Sequence, residues 1–480
     1  HYPLRRQRQM CIRDSVFSPK SVAVIGASRN RVKLGYQSLR ALIEAKYQGE
    51  IYPVNPNTDT MAEYKAYPSI LDVTDEIDLA VISLPSFGVL EAVRECAKKR
   101  VKAVVIFASG FKELDEHGGH MEKEIARTCN EAGIKIIGPN TIGLMNSYSN
   151  LNASFAPIGK LPRGNISIIS QSGGMGATLV AYLLEAELGF SKFVGVGNRA
   201  NLEIADVLLY LKEDPTTKAI GIFLEGVEDA RRLVQTAKEV AEEKPILIYK
   251  VGKTEVSARA AFSHTGSLAG SYELYRAAFA QARILEVIEP SELIDAAKAI
   301  SILPPAKGGK IALVTHTAGP SLVITEVLER YGIKLSVFSE ETKRRIQQAV
   351  PFKITVQNPC DLLGVAYILP ELYGIVGGII LEDSDVDALI AVYTPSFQPE
   401  ARLPAKELIE IAKVAGKPVV AALVSPSTLP IPEKSDLEQN GVAVYRTPER
   451  AAKAVANHIK YWKLRRITRA SKEELGDRII

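Results

Sequence analysis

Short apolar runs rich in valine and isoleucine recur along the chain, separated by helix-length segments whose apolar residues fall on one face. Runs this short and this continuous fit strands covered on both sides. Their alternation with amphipathic helices is the βαβ signature of a parallel sheet. The first third predicts strands at Ser21–Ile25, Ile51–Val54, Leu79–Leu84, Ala103–Phe107 and Ile134–Ile137, with helices such as Gly35–Ala45 and Leu90–Lys99 between them. A Pro/Gly-rich stretch, Ala156–Gly164, marks a hinge. A second set of strands follows at Asn165–Ile169, Phe193–Val196, Ala219–Leu224 and Pro245–Lys250, with helices Ala177–Glu187, Ile204–Lys212 and Ala230–Val240. A polar segment, Gly252–Gly270, then precedes a helix at Tyr272–Gln281. After the linker Leu303–Gly309 a third set begins at Lys310–Thr315 and continues through Ala388–Tyr393, Pro418–Leu423 and Val442–Tyr445, ending near Trp462.

The expected fold class is therefore α/β, with three successive Rossmann-like or flavodoxin-like parallel-sheet domains. Their expected bounds are 16–150, 151–305 and 306–464, followed by a charged tail at 465–480. No fixed-period repeat links them. The chain length of 480 residues agrees, at roughly 150 residues per domain. Residues 1–15, HYPLRRQRQMCIRDS, have neither the apolar stretch nor the clear amphipathic pattern of a targeting signal. They resemble a translated adapter read-through, are set apart from the fold, and put the authentic start near Val16.

Composition narrows the function. Lys and Arg total 59 against 55 Asp and Glu, a net charge of only +4, so nucleic acid is not the expected partner. Apolar residues at 46% and charged residues at 24% are those of a globular chain rather than a disordered one. No apolar run reaches the ~18 residues a bilayer span requires, so no membrane partner is expected. Cys11, Cys96, Cys129 and Cys360 form no Cys-x-x-Cys pair. Neither a zinc knuckle nor a disulfide framework is suggested, no metal is expected, and the reducing cytoplasm is the simplest compartment.

Three strand-to-helix turns carry candidate chemistry. VAVIGAS (Val22–Ser28) is a buried strand entering a tight turn, a geometry that aims backbone N–H groups at an anion. The nicotinamide fingerprint is not matched: Ser28 and Arg31 stand where its second and third glycines belong. Val54, Asn55 and Pro56 stand where an acid would hold a ribose. Arg29 and Lys33 favour a nucleotide-like ligand with extra phosphates, and a plain structural turn is the bland alternative. ISIISQSGGMGATL (Ile166–Leu179) is a second such turn, with hydroxyls from Ser170 and Ser172. LVTHTAGPSL (Leu313–Leu322) is a third. Two such helix ends facing one small anion would stabilise a phosphoryl group in transfer.

Of the six histidines, His117 and His120 lie in the polar turn DEHGGH, where a solvated loop outweighs a metal site. His458 belongs to a late helix, and His316 closes the first strand of the third set. His264 stands in AFSHTGSLAG (Ala261–Gly270), among small hydroxyl and glycine residues that let a backbone move and N–H groups approach an anion. It reads either as a nucleophile or base, or as a solvated loop residue.

Together VAVIGAS (22–28), GPNTIGLMN (138–146), SQSGGMG (170–176), FLEGVEDARR (223–232) and SHTGSLAG (263–270) resemble the α subunit of an ADP-forming acyl-CoA (acetyl-CoA) synthetase, of the succinyl-CoA synthetase-like superfamily. The resemblance spans Val16 to Trp462. It implies a CoA-binding first domain followed by two ligase domains. Coenzyme A would be approached by Gly26, Ser28, Arg29, Lys33, Val54, Ser83, Pro85, Ser109 and Gly110, with Asn140 at the thioester end. His264 would be phosphorylated and Glu225 would orient its imidazole. Phosphate would be held by Ser170, Gln171, Ser172, Gly173 and Gly174, and by Ala318 and Gly319. The chain departs from the family in having Asn57 where a lysine is common, and THTAGPS where the third turn is usually richer in glycine.

The resemblance further implies an activity. Phosphate attacks the thioester of an acyl-CoA, giving acyl phosphate and CoA. His264 takes the phosphoryl group and releases a small carboxylic acid. The phosphohistidine then passes the group to Mg-ADP on a separate ATP-grasp β subunit, within an α2β2 heterotetramer. The alternatives are a non-catalytic CoA-binding regulatory protein and, further off, a nicotinamide-dependent oxidoreductase.

Overall fold

A computed structural model describes residues 16–257, 259, 271–394, 402–426 and 429–476, with side chains through 466. The chain divides into two compact units, residues 1–294 and 295–480.

In the first unit the apolar runs form a five-stranded parallel sheet. Its strands are β1 (Ser21–Ile25), β2 (Glu50–Val54), β3 (Leu79–Ile82), β4 (Ala103–Ile106) and β5 (Lys135–Ile137), in the order β2-β1-β3-β4-β5. Val22, Val24, Leu79 and Val81 bury one face, while Ala23, Ile25, Ala80 and Ile82 bury the other. This two-sided burial is why the strands read as continuous apolar runs rather than as alternation.

The second sheet of this unit has seven strands: β6 (Gly143–Asn146), β7 (Leu151–Ser154), β8 (Ile166–Ser170), β9 (Lys192–Gly195), β10 (Ala219–Leu224), β11 (Ile246–Lys250) and β12 (Leu285–Glu286), ordered β12-β11-β10-β8-β9-β6-β7. The hairpin β6–β7 runs antiparallel and docks on β9. The expected boundary at 150 falls inside this hairpin, and both of its strands belong to the second sheet. Apart from this hairpin the sheet is parallel. The two sheets share one core, in which Val22 and Leu79 pack with Leu144, Ile169 and Val207. Val16 and Phe17 are fully buried, and the Phe17 ring stacks on Tyr210 at 4.0 Å.

In the second unit β13 (Lys310–Thr315), β14 (Lys334–Leu335), β15 (Cys360–Asp361), β16 (Ala388–Tyr393), β17 (Val419–Leu423) and β18 (Val442–Tyr445) form a parallel sheet ordered β14-β13-β16-β17-β18, with β15 on β13. The segment expected as a tail from 465 continues the helix Pro448–Gly476.

Setting aside short additions and a two-stranded ribbon at Thr60–Met61 and Tyr64–Lys65, the three large sheets follow one rule. The first strand lies between the second and third, the flavodoxin-like order 2-1-3-4-5. Each therefore has one switch point at the carboxyl ends of its first and third strands, where doubly wound sheets bind ligands. The three turns singled out in the sequence leave β1, β8 and β13 at those places.

His117 and His120, expected in a polar turn, lie instead in the helix Glu116–Ala132. Asp115 caps that helix by accepting the Gly118 N–H at 2.7 Å. Among the described residues no helix is long and apolar enough to cross a membrane.

Candidate functional site

At the switch point of the first sheet Gly26 has φ +83°, and its N–H donates to Val54 O at 3.0 Å. A Cβ there would come within 2.7 Å of Ser83 O, so the turn needs glycine on both grounds. Helix α1 (Leu34–Glu44) follows, with Lys33 at its N-cap and no side-chain cap bond. Its early N–H groups thus lack the usual side-chain acceptor. A Cβ at Gly35 would run into the Gly26 carbonyl, so Gly35 is what lets α1 press its N-terminus against the turn. This is the work of the fingerprint's third glycine, done from a position the pattern does not search.

Around this turn Ser28 accepts the Asn30 N–H at 3.1 Å, and Arg29 donates to Thr58 Oγ1 and Thr60 O, both at 2.9 Å. Lys33 is exposed. The Ser83 hydroxyl is buried with no hydrogen-bond partner among the described residues. Pro85 caps the helix Ser86–Lys99, and Ser109 and Gly110 (φ +98°) follow β4. An uncapped helix end, two cations and an orphaned hydroxyl fit the phosphates of a nucleotide-like ligand. Where a dinucleotide site would carry an acid, Asn55 Nδ2 donates instead to Ala27 O at 2.7 Å.

A cavity of about 460 Å³ opens beside α1, lined among others by Leu34, Phe107, Asn140, Phe155, Gln171, Ser172, Gly173, Gly174, Arg199 and Glu225. It gathers Asn140 and most of the second turn with Glu225, residues far apart in the chain. Helix α2 (Gly173–Glu185) begins there, and Ser172 accepts the Met175 N–H at 3.4 Å. Gln171 Oε1 accepts the N–H groups of both Glu225 and Gly226, at 2.9 and 3.0 Å. The carbonyl end of Gln171 thereby ties the end of β8 to the end of β10, and its amide NH2 is the donor left for the cavity. Ser170 is not in the lining. It is fully buried, and its hydroxyl donates to Ser172 O at 2.6 Å, shaping the turn from behind.

His264 lies outside the described residues. The strand leading to it is nevertheless placed: Leu224 pairs with Lys250, so this segment leaves the sheet beside Glu225. Lys250 Nζ donates to the carbonyls of Glu225 (2.8 Å) and Val251, and rests over the Tyr275 ring. Burial pushes its ammonium down to about 8, against the opposing pull of Glu225 and Glu286.

Two residues of the cavity lining and one behind them escaped the sequence reading. Arg199 is buried at φ +60°, donates to Gly226 O at 3.1 Å, pairs with Glu203 at 3.3 Å, and lines the cavity together with Glu225. Asn198 precedes it. Glu113 reaches the same network from the loop after β4. The sequence signal of Asn198 and Arg199 is a Gly-Asn-Arg turn after a strand, which reads as a connection.

In the second unit Ala318 and Gly319 are the first residues of α3 (Ala318–Arg330), whose N-cap Thr317 makes no side-chain cap bond. Thr315 Oγ1 accepts the Thr317 N–H at 3.1 Å and donates to Thr317 O at 2.6 Å. His316 is not suited to an anion. Tyr373 O–H donates to Val392 O at 2.7 Å, so its oxygen must accept from His316 Nδ1 at 2.8 Å. The ring is the Nδ1–H tautomer. Burial holds its pKa down at about 4, leaving Nε2 a neutral acceptor.

Comparison with known proteins shows the family. A "CoA binding domain" family model matches residues 20–147, and a "Succinyl-CoA ligase like flavodoxin domain" model matches residues 163–300. The class is thus that of the CoA ligases built on doubly wound sheets. The chain is 39% identical over 446 residues to the α subunit of acetate–CoA ligase [ADP-forming] II of Pyrococcus furiosus, covering 92% of this chain and 96% of the relative. It is 38% identical to the α subunit of enzyme I of that organism, covering 94% and 98%. Among solved structures, the dinucleotide forming acetyl-coenzyme A synthetase 1 of Ca. Korarchaeum cryptofilum, in complex with phosphate and ADP, superposes with a TM-score of 0.83 at 36% identity. The match covers 95% of this chain and 98% of that one. The chain belongs to the family of ADP-forming acetate–CoA ligase α subunits.

Proposed function

We propose that this chain is the α component of an ADP-forming acyl-CoA synthetase. The reversible reaction converts an acyl-CoA, ADP and phosphate to a carboxylic acid, ATP and CoA. The observation that carries this reading is the cavity in which Asn140, the N-terminus of α2 and Glu225 converge, beside the strand that leads to His264.

Coenzyme A is assigned to the switch point of the first sheet. Gly26 and Gly35 allow close backbone approach there, Arg29 and Lys33 supply positive charge, and the Ser83 hydroxyl awaits a partner. Val54, Pro85, Ser109 and Gly110 rim the same strand ends. Asn140 is assigned to the thioester end. Phosphate is assigned to the amides of Gly173 and Gly174, with the Gln171 amide and Ser172 beside them. The partial positive charge of the helix end and the Arg199 guanidinium stabilise an anion in this site. Ala318 and Gly319 offer a comparable helix end in the second unit.

His264 is assigned as the residue that receives the phosphoryl group from the acyl phosphate and releases the carboxylate. A neutral imidazole is nucleophilic near pH 7. Glu225 is assigned to orient that ring. Gln171 and Lys250 fix the Glu225 backbone from two sides.

The partner is assigned as an ATP-grasp β subunit that binds Mg-ADP, in an α2β2 assembly. The relatives that this chain matches over 96% and 98% of their length are named as α subunits, which supports a separate partner subunit. The compartment consistent with this chemistry is the cytoplasm. The test is reconstitution: this chain mixed with its β partner should form ATP from acyl-CoA, ADP and phosphate, and either chain alone should not. Tight NAD binding without CoA binding would overturn the reading.

A further inference from the structure

We infer that Glu113 is a positioning residue that couples the coenzyme A loop to the reaction cavity. The inference rests on the reading above that Ser109 and Gly110 approach coenzyme A.

Glu113 Oε1 accepts the N–H of Gly110 at 2.7 Å and of Phe111 at 3.2 Å. These bonds hold the loop after β4 in a shape that includes Gly110 at φ +98°. Glu113 Oε2 accepts from Asn198 Nδ2 at 2.6 Å, across 85 residues of chain. The second hydrogen of that amide goes to Glu122 Oε2 at 2.8 Å. Both hydrogens of Asn198 therefore point at carboxylates, and the amide has one orientation. Turned over, its oxygen would face two carboxylate oxygens. Asn198 Oδ1 is left facing Asn140, which donates to it at 3.4 Å. Asn198 and Asn140 both line the cavity.

The backbone is built to keep this arrangement. Asn198 N–H donates to Pro139 O at 2.9 Å, and Ala200 N–H to Gly138 O at 3.0 Å. A Cβ at Gly197 would strike the Pro139 carbonyl. The turn after β9 is thus clasped to the turn after β5, and Glu113 is the side chain that ties both to the loop after β4. Its two oxygens are engaged by protein donors, so it acts through Asn198 rather than on substrate. The Asn140 N–H itself donates to Ala108 O of that loop at 2.8 Å, and order imposed on the loop by coenzyme A reaches the Asn140 side chain through two others, Glu113 and Asn198.

A glutamine at 113 has one acceptor and one donor, so it cannot serve both sides. Losing the hydrogen bond to the carboxylate on either side is worth about tenfold, or ~1.4 kcal/mol. In the full chain assembled with its partner, Glu113→Gln should raise the KM for CoA about tenfold and lower kcat about tenfold. Asn198→Ala should lower kcat with the CoA KM changed less than about twofold. In the Asn198→Ala background, Glu113→Gln should lose its effect on kcat and keep its effect on KM, a pattern that general destabilisation would not give. Because Asn198→Ala is measured alone, the split is read even where Glu113→Gln fails to fold. A wild type that shows no saturation by CoA overturns the functional reading, and this inference with it. A wild type that saturates overturns this inference alone if the kcat losses of the two variants multiply, if Glu113→Gln leaves the CoA KM unchanged, or if Asn198→Ala leaves kcat unchanged.

Discussion

Gln171 Oε1 receives the backbone N–H of Glu225 at 2.9 Å, and that of Gly226 at 3.0 Å. One side chain at the end of β8 thus sets the backbone that presents the carboxylate assigned to His264. A glutamate at 171 keeps the two acceptor bonds and replaces the amide donor with a negative oxygen. We expect Gln171→Glu to unfold within a few degrees of wild type but to raise the KM for phosphate at least about tenfold. Gln171→Leu orphans two N–H groups at about 1–3 kcal/mol each and should lower the melting temperature clearly. Thermal melts alongside phosphate titrations separate the two. Equal phosphate affinity in wild type and Gln171→Glu would remove Gln171 from the anion site.

Gly35 sets the approach of α1 to the first turn. Alanine is intrinsically better than glycine in a helix by about 1 kcal/mol, so propensity alone predicts stabilisation. The Cβ would run into the Gly26 carbonyl, and overpacking of this kind costs about 1–3 kcal/mol. Gly35→Ala should therefore be less stable than wild type and should bind CoA at least about tenfold more weakly by calorimetry. A variant more stable than wild type with unchanged CoA affinity would show that the contact is relaxed at no cost.

Two buried histidines make the second unit acid-sensitive. Burial holds His316 and His458 near a pKa of about 4, and His458 Nε2 meets Pro304 O at 2.9 Å. In the unfolded chain both take a proton near 6.5. Between about pH 6.5 and 4 the unfolded state binds protons that the folded state refuses. Each histidine's contribution is complete above that window and is lost as the pH falls through it, at up to ~1.4 kcal/mol per pH unit. Urea midpoints at about pH 7 and pH 5 should fall less steeply for His316→Gln than for wild type. An identical slope in both would mean that His316 takes a proton in the folded state.

Much of the fold was legible because two-sided burial writes itself as unbroken apolar runs. Ser21–Ile25, Ala219–Leu224, Lys310–Thr315 and Ala388–Tyr393 are strands with the bounds the sequence suggests, and Tyr272–Gln281 is a helix with them. The hairpin Gly143–Asn146 and Leu151–Ser154 was not legible. Its Asn146, Asn152 and Ser154 are buried, but their partners are set by the fold: Asn146 Nδ2 donates to Phe17 O at 2.7 Å. The site divides the same way. Glycine turns announce helix ends, so Gly26 and Gly173 were visible. Arg199, Asn198 and Glu113 are tied into the site by partners many residues distant, and the Gly-Asn-Arg turn reads locally as no more than a connection.

The most direct test follows labelled phosphate. The assembled enzyme is incubated with acyl-CoA and labelled phosphate without ADP, and the modified residue is located. The account predicts acid-labile label on His264 in wild type and none in His264→Ala. Label persisting on this chain in His264→Ala would contradict it.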